Sequence, residues 1–530
     1  MSDGLETTFR VLRETTNEAA TPVLVAALDS PQAAIREWAL AAILARRSAS
    51  GCRAVVNRLH TLAERPRRIV YQHQEAMAEA IREAILSADE QACSNGCLAA
   101  AWFREYEVMP TLVHALESGS RHGELLGRTL VETADSLCRD LADPNIDLRR
   151  GDPQLVRWRV LEDLERSVER FHLHQRAEIV TAFLLLVNRD NITLKRILLE
   201  PHHVAFAAVA EEFSQSASAG VVRLLLSFLD DPQAPSAALG MISRRCDERF
   251  LASLLHKLAR ESSPVQAHNL RRINSLAWIE DSLGIVAGLD EQAQRGAVRL
   301  FMGASVGRSY AFEIVKHLLL VGKPAGRRAA AEALADFCGA EANELVLLGL
   351  EHEDPCVQAA LVSQLRSRGI PGTLPRLLRL IDSPHEVVQK AVRQNLAEFS
   401  FARFLAAFDT LEAEVRRSTG LLVRKIDPQA IPLLVAELQS KLRVRRLRAL
   451  EIAEAMEAVP AVARWIADLR FDQDIAVRTA AAAVLLRSEA EVLRRPPSDR
   501  GLSGPETSPP DLGFPDAWPF PSPPHPNSFI

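Results

Sequence analysis

Between Pro375 and Leu396 the apolar residues fall in two groups, Leu377, Leu378, Leu380 and Ile381, then Val388, Val392 and Leu396, each at helical spacing. Asp382-Ser383-Pro384 interrupts them. The pattern predicts two short amphipathic helices in antiparallel contact. Pro384 is placed in the first turn of the second helix, where its missing N–H costs nothing, and Ser383 as the N-cap. The unit is a helical hairpin.

The hairpin recurs. Gln389, one place after the core position Val388, serves as a register mark: an apolar residue, then Arg or Gln, then an apolar residue three places on. At intervals of about thirty residues the same pattern returns, upstream at Gln358, Arg327, Arg295 and Gln266, and downstream at Arg416, Arg446 and Arg478. Asn269 and Thr419 fill the last place after Gln266 and Arg416, Arg445 replaces the apolar residue before Arg446, and weaker echoes stand at Ser236, Ala205 and Arg176. A period of this length marks a solenoid, in which one unit cannot bury its own apolar face and leans on the next.

These residues resemble the HEAT family of helical repeats. The family carries a proline in the first helix and a basic residue early in the second. Pro375 to Gln389, Pro432 to Arg446 and Pro22 to Arg36 share one separation. Its inter-helix aspartate corresponds to Asp472 before Arg478 and Asp230 before Ser236, with Asp29, Asp354 and Asp382 slightly out of step. The resemblance covers about Leu155 to Ser488. It implies an all-α fold, a right-handed α-α superhelical solenoid of HEAT-like hairpins.

Away from that segment the pattern weakens. A hairpin at Pro22 to Ala39 is followed, from Cys52 to Leu141, by helical periodicity without the register mark. Ala142 to Pro153 is the longest internal turn-like stretch and the expected joint. After Ala490 to Arg495 the composition shifts to Pro at nearly every third position, which predicts a disordered tail. The expected division is therefore an irregular helical region at 1–154, a regular solenoid at 155–488 and a proline-rich tail at 489–530. In the tail Phe514, Trp518, Phe520 and Phe529, beside Pro521-Ser522-Pro523-Pro524, form a candidate partner-binding motif.

Composition agrees with thin helical layers. Aromatics are 5% of 530 residues, and a net charge of -5 gives no global drive toward nucleic acid. Seven scattered cysteines read as free thiols in a reducing compartment. With no apolar signal core and no long apolar run, the expected location is cytoplasmic.

In each second helix the residue before the mark and those three and seven after it face the core. Positions one, five and eight after it lie on the opposite stripe, which in a HEAT-like stack lines the concave surface. That count places Arg328, Glu332, Ser363, Arg366, Lys390, Gln394, Arg417, Arg424 and Glu451 on the lining, with Arg448 beside it. The run from Arg416 to Arg448, which includes Lys425, Lys441, Arg443 and Arg445, is strongly basic, with Asp427 and Glu437 against it. One reading makes Arg416 and Arg446 part of an inter-repeat ladder and the others a solvated face. The other makes the run a patch for an acidic or phosphorylated protein partner and, less favoured, for nucleic acid.

Catalytic motifs are missing from the sequence: GxSxG, HExxH, GxxxxGK[ST] and GxGxxG do not occur. His174 and His203, each two places before a register mark, fall on adjacent helices, with His172 and Glu200 near. The spacing favours surface histidines over a zinc site. Cys93-Ser94-Asn95-Gly96-Cys97 reads as a helix-linking turn. No cofactor is expected. The function read here is a non-enzymatic scaffold or adaptor that binds a protein partner. A nucleic-acid-binding repeat protein using the Arg416 to Arg448 patch is the alternative. A helical-repeat enzyme of bilin-lyase or DNA-glycosylase type is a second alternative.

Overall fold

The computed structural model describes residues 2–143, 152–260 and 263–494. The segment 144–151, within the expected joint, and the proline-rich segment with Phe514, Trp518 and Phe520 lie outside the described residues. Every regular element among the described residues is a helix. Contacts divide the chain into two units, Met1–Gly326 and Arg327–Ile530.

In the first unit, helix Ala20–Leu28 pairs with Ala33–Arg46, and Met109–Glu117 with Gly123–Ala142. Packing continues past residues 144–151, because Gly123–Ala142 lies against Ala177–Leu186 and Met109–Glu117 against Pro153–Glu169. The core is mostly aliphatic with phenylalanines set into it: Leu24, Ile43, Leu130, Phe183, Leu225 and Leu254 are all fully buried. Helix Glu248–Ala259 packs tightly on Glu291–Gly303. A Cβ on Gly296 would lie 1.9 Å from the Leu255 carbonyl oxygen, so only glycine permits this crossing. Cys93 and Cys97 lie inside one helix, Glu90–Phe103, rather than in a linking turn. The small residues between them, Ser94 and Gly96, do not stop a helix whose packed face is closed by Cys93, Cys97 and Ala100.

The second unit is a succession of hairpins: α1 (Ala340–Gly349) with α2 (Pro355–Leu365), α3 (Thr373–Leu380) with α4 (Glu386–Asn395), α5 (Phe401–Ala407) with α6 (Ala413–Ile426), α7 (Ala430–Leu438) with α8 (Arg443–Ala455), and α9 (Val459–Leu469) with α10 (Ile475–Arg494). Second helices pack on second helices, α2 on α4, α6 on α8 and α8 on α10. The core positions set by the register, Val357, Val388, Val477, Leu361, Val392 and Ala481, are buried.

The reason for an Arg or Gln at the register mark is local. The turn after a first helix carries backbone carbonyls outside any helical ladder, and the mark sits one turn into the second helix, within reach of them. Gln389 Nε2 donates to the Ser383 carbonyl at 2.8 Å, Arg446 Nη1 to Ser440 at 2.8 Å and Arg478 Nη1 to Asp472 at 2.7 Å. In the first unit Arg36 Nη1 does the same to Ser30 at 2.7 Å. Each donor is six residues after its acceptor, so the mark fastens its own turn. Gln358 and Arg416 fasten theirs through Leu350 and Leu411.

Pro264 and Pro355 each open a helix behind a side-chain cap, Ser263 or Asp354. Pro384 differs: α4 begins at Glu386, and Pro384 stays in the turn. Ser383 there accepts from the His385 N–H instead of capping the helix. A proline can rigidify a turn as well as start a helix, and the two-residue offset separates the cases.

Candidate functional site: a charged cleft over three second helices

The helices α6, α8 and α10 lie side by side and between them hold a cleft of about 580 Å³. Gly420 lets α6 approach: a Cβ there would stand 2.6 Å from the Ala455 carbonyl oxygen at the end of α8. Arg416, Arg417 and Arg424 enter the cleft from α6, Glu451 and Glu454 from α8, and Arg487 and Ser488 from α10. Phe408, Val459, Pro460 and Val484 supply apolar surface among them.

Glu457 organises one wall. It follows α8 with φ +49°, the left-handed conformation that ends helices, and its N–H bonds to the Glu454 carbonyl at 2.9 Å. Arg417 Nη2 donates to its carboxylate at 2.7 Å, and Arg424 donates to its backbone carbonyl. On the opposite wall Arg487 grips Glu454 with two bonds, 2.7 and 3.0 Å. Arg416 turns inward, bonding the Leu411 carbonyl at 2.8 Å with its guanidinium 4.7 Å from the centre of the Phe408 ring. Cation and carboxylate thus alternate around an apolar floor.

The predicted lining residues are distributed along the second unit. Arg417, Arg424 and Glu451 meet in the cleft. Arg443 is 3.2 Å from Asp474, and Arg448 pairs with Asp409. Lys390, Gln394 and Glu332 are exposed. Arg328 Nε donates to Asp354 at 2.8 Å. Partial burial is the largest single effect and pushes the Asp354 carboxyl up, but this guanidinium together with the Cys356 and Val357 N–H groups holds it below its usual range. Arg366 bonds the Asn395 carbonyl and the buried Glu398, at 3.2 and 2.6 Å.

Most of the acids that meet the basic run come from outside it in sequence. Glu437 stands 3.7 Å from Arg445, but Asp427 serves the backbone, accepting from the N–H groups of Phe401 and Gln429. The stack brings Glu457 to Arg417, Asp382 to Lys425, Asp409 to Arg448 and Asp472 to Arg446. Glu454 stands eight places after Arg446, where the register count reaches, and escapes a search for basic residues. Arg487 and Glu457 have no such signal.

Three histidines fasten turns. His174 Nδ1 accepts from the Arg176 N–H at 3.0 Å and His203 Nδ1 from Ala205 at 3.2 Å, and His352 Nδ1 accepts from Asp354 at 2.9 Å. No cluster of three metal-ligating side chains occurs among the described residues. No helix among them is long and apolar enough to cross a membrane.

None of the curated proteins matches the chain in sequence. Among solved structures, one from "A conserved phosphorylation switch controls the interaction between cadherin and beta-catenin in vitro and in vivo" is 14% identical, with a TM-score of 0.40, covering 88% of this chain and 99% of that one. The crystal structure of Kap121p is 12% identical, with a TM-score of 0.29, covering 92% of this chain and 57% of that one. A chain of the Pds5-Scc1 complex is 12% identical, with a TM-score of 0.19, covering 95% and 93%. The family model for HEAT repeats matches residues 315–397. Those residues take in the register marks Arg327, Gln358 and Gln389, so the chain matches HEAT repeats over 315–397, and its described elements on both sides of that segment are likewise helices.

Proposed function

We propose that the protein is a non-enzymatic scaffold or adaptor that receives a segment of a protein partner in the cleft over α6, α8 and α10. The observation that carries this reading is the lining itself: arginines and glutamates alternate around Phe408, Val459, Pro460 and Val484 in a space of about 580 Å³. A segment with acidic or phosphorylated groups beside apolar side chains would exchange into the Arg417 and Arg487 pairs and cover the floor. The remaining lining positions, Arg328, Glu332, Arg366, Lys390 and Gln394, would extend the contact along the same row of second helices. Free thiols buried at Cys52, Cys93 and Cys97 suit action in the cytoplasm.

Nucleic acid is the weaker ligand for this surface. Arg417, Arg443, Arg448 and Lys425 each face a carboxylate, so few charges are left to displace counterions from a phosphate backbone. The test is joint neutralisation of Arg417, Arg424, Arg443 and Arg448 to Ala, followed by affinity capture from native lysate beside the parent. Partners retained by the parent and lost by the variant support the reading. Indifference of every partner to the change sinks the choice of surface. Binding of labelled DNA or RNA by the parent, falling steeply with salt, would put the nucleic-acid reading in its place.

A further inference from the structure

We propose that the cleft over α6, α8 and α10 is the docking site of this chain's own segment 511–520, DLGFPDAWPF, which occupies it in cis and must be displaced by a partner of like chemistry. This rests on the preceding reading of the cleft as a peptide site and names the chemistry that the site accepts.

The segment is within reach of the cleft. The helix that leads to the segment also builds the cleft, since Val484, Arg487 and Ser488 of α10 line it. From Ser488 the helix runs on to Arg494, roughly 9 Å at 1.5 Å per residue. Residues 495–510 then span up to about 50 Å when extended, ample for a return. A tether of that length holds the segment at an effective concentration of about 1 mM.

Residues 501–530 contain no Lys or Arg and carry Glu506, Asp511 and Asp516. The cleft presents four guanidinium groups, Arg416, Arg417, Arg424 and Arg487, against three carboxylates. Asp511 and Asp516 stand five residues apart with Phe514 between them, so acid and ring alternate in the segment as cation and apolar surface alternate in the cleft.

Each aromatic residue of the segment, Phe514, Trp518 and Phe520, is followed directly by proline. Proline narrows the conformations open to the residue before it, so a segment of this sequence gives up less entropy when it is ordered. Rings of this kind pack on Phe408 and Pro460 and stack on arginine guanidinium planes.

The experiment uses the full chain, its F514A/W518A/F520A variant and a labelled peptide of sequence 511–520, with binding read by fluorescence anisotropy. The peptide is expected to bind the variant with a Kd of about 100 μM and the parent about tenfold more weakly, the ratio that a 1 mM internal competitor imposes. Adding R417E/R424E to the variant, or R487E in a separate protein, is expected to abolish binding while helicity by circular dichroism is kept. Equal binding to parent and variant overturns occupancy in cis. No binding to the variant overturns the assignment of the segment to the cleft, and so does binding that survives both arginine changes. A parent-to-variant ratio that grows with protein concentration assigns the segment to a second copy and likewise overturns it. If the peptide fails but captured partners still depend on Arg417 and Arg424, the cleft remains a partner site and only the self-docking falls.

Discussion

The guanidinium of Arg446 spans the step from one hairpin to the next and meets the carboxylate of Asp472, with Nε 2.9 Å from Oδ2 and Nη2 3.1 Å from Oδ1. Both side chains are largely buried, 14% and 10% exposed. The same arginine bonds the Ser440 carbonyl, and the Asp472 carbonyl accepts from Arg478, so one chain of contacts links two turns. Removing the cation leaves a mostly buried carboxylate facing an empty site. Arg446→Ala should therefore cost about 2 to 3 kcal/mol in urea unfolding. Arg446→Lys should recover about half of that, because a point charge reaches Asp472 or Ser440 but not both. Hydrogen exchange should show the loss concentrated in the turns at 439–442 and 470–474. An even loss over both units would mean that the link is not local.

Gly420 predicts a second cost. Its hydrogen faces the Ala455 carbonyl where a Cβ would be 2.6 Å away, and the backbone on both sides is helical. Gly420→Ala should destabilise by about 1 to 3 kcal/mol, as overpacking does, despite alanine's higher helix propensity. Gly240, in helix Ser236–Arg244, has nothing within 4 Å of a Cβ, so Gly240→Ala should stabilise by roughly 0.5 to 1 kcal/mol. Thermal denaturation of the two variants checks the opposite signs. Two shifts of the same sign would show that propensity, not clearance, governs these positions.

The row of register marks was legible in the sequence because its cause is local. Gln389, Arg446 and Arg478 each serve an acceptor six residues back, so spacing within one hairpin carries the information. The Arg446 link to Asp472 was half legible, since the aspartate recurs before the next mark. The cleft was legible on one side only. Counting along α6 and α8 finds Arg417, Arg424 and Glu451, but Glu457 reaches Arg417 from forty residues away through a left-handed helix end that no periodicity announces. Asp382 and Asp409 likewise come to Lys425 and Arg448 from the turns of other hairpins. Charge that is uncompensated along the chain is compensated across the stack, and sequence adjacency is blind to that.

Asp290 predicts a pH dependence. It caps helix Glu291–Gly303, accepting from the N–H groups of Gln292 and Ala293 at 2.9 Å each, with His256 Nε2 at 2.9 Å. The bond from Ala293 is the main reason its carboxyl lies below the usual 3.8, with the nearby His256 adding to it. A carboxyl held below its unfolded value stabilises the fold at pH above that value and loses the contribution as pH falls through the folded one. Asp290→Ala should cost about 1 kcal/mol at pH 7, and the difference from the parent should shrink below about pH 4. Urea unfolding at pH 7, 5 and 3 reads this directly. A difference that stays constant to pH 3 would assign the effect to helix propensity and not to the ionised cap.

The cysteines give a test of packing that needs no substitution. Cys246 and Cys338 are exposed, Cys138 and Cys356 half-buried, and Cys52, Cys93 and Cys97 buried, all as free thiols. Cys97 is held below the usual thiol range, chiefly by the hydrogen bond from Cys93, which is pushed up in turn. A lowered pKa favours the thiolate, yet reaction also needs access, and Cys97 is 3% exposed on the packed face of its helix. Timed alkylation followed by peptide mass spectrometry should therefore label Cys246 and Cys338 first and Cys138 and Cys356 later. Cys52, Cys93 and Cys97 should react only in urea, with Cys97 no faster than Cys52 in the native protein. Early labelling of Cys97 would show that helix Glu90–Phe103 opens without global unfolding, and would place the weakest joint of the first unit there instead of at its turns.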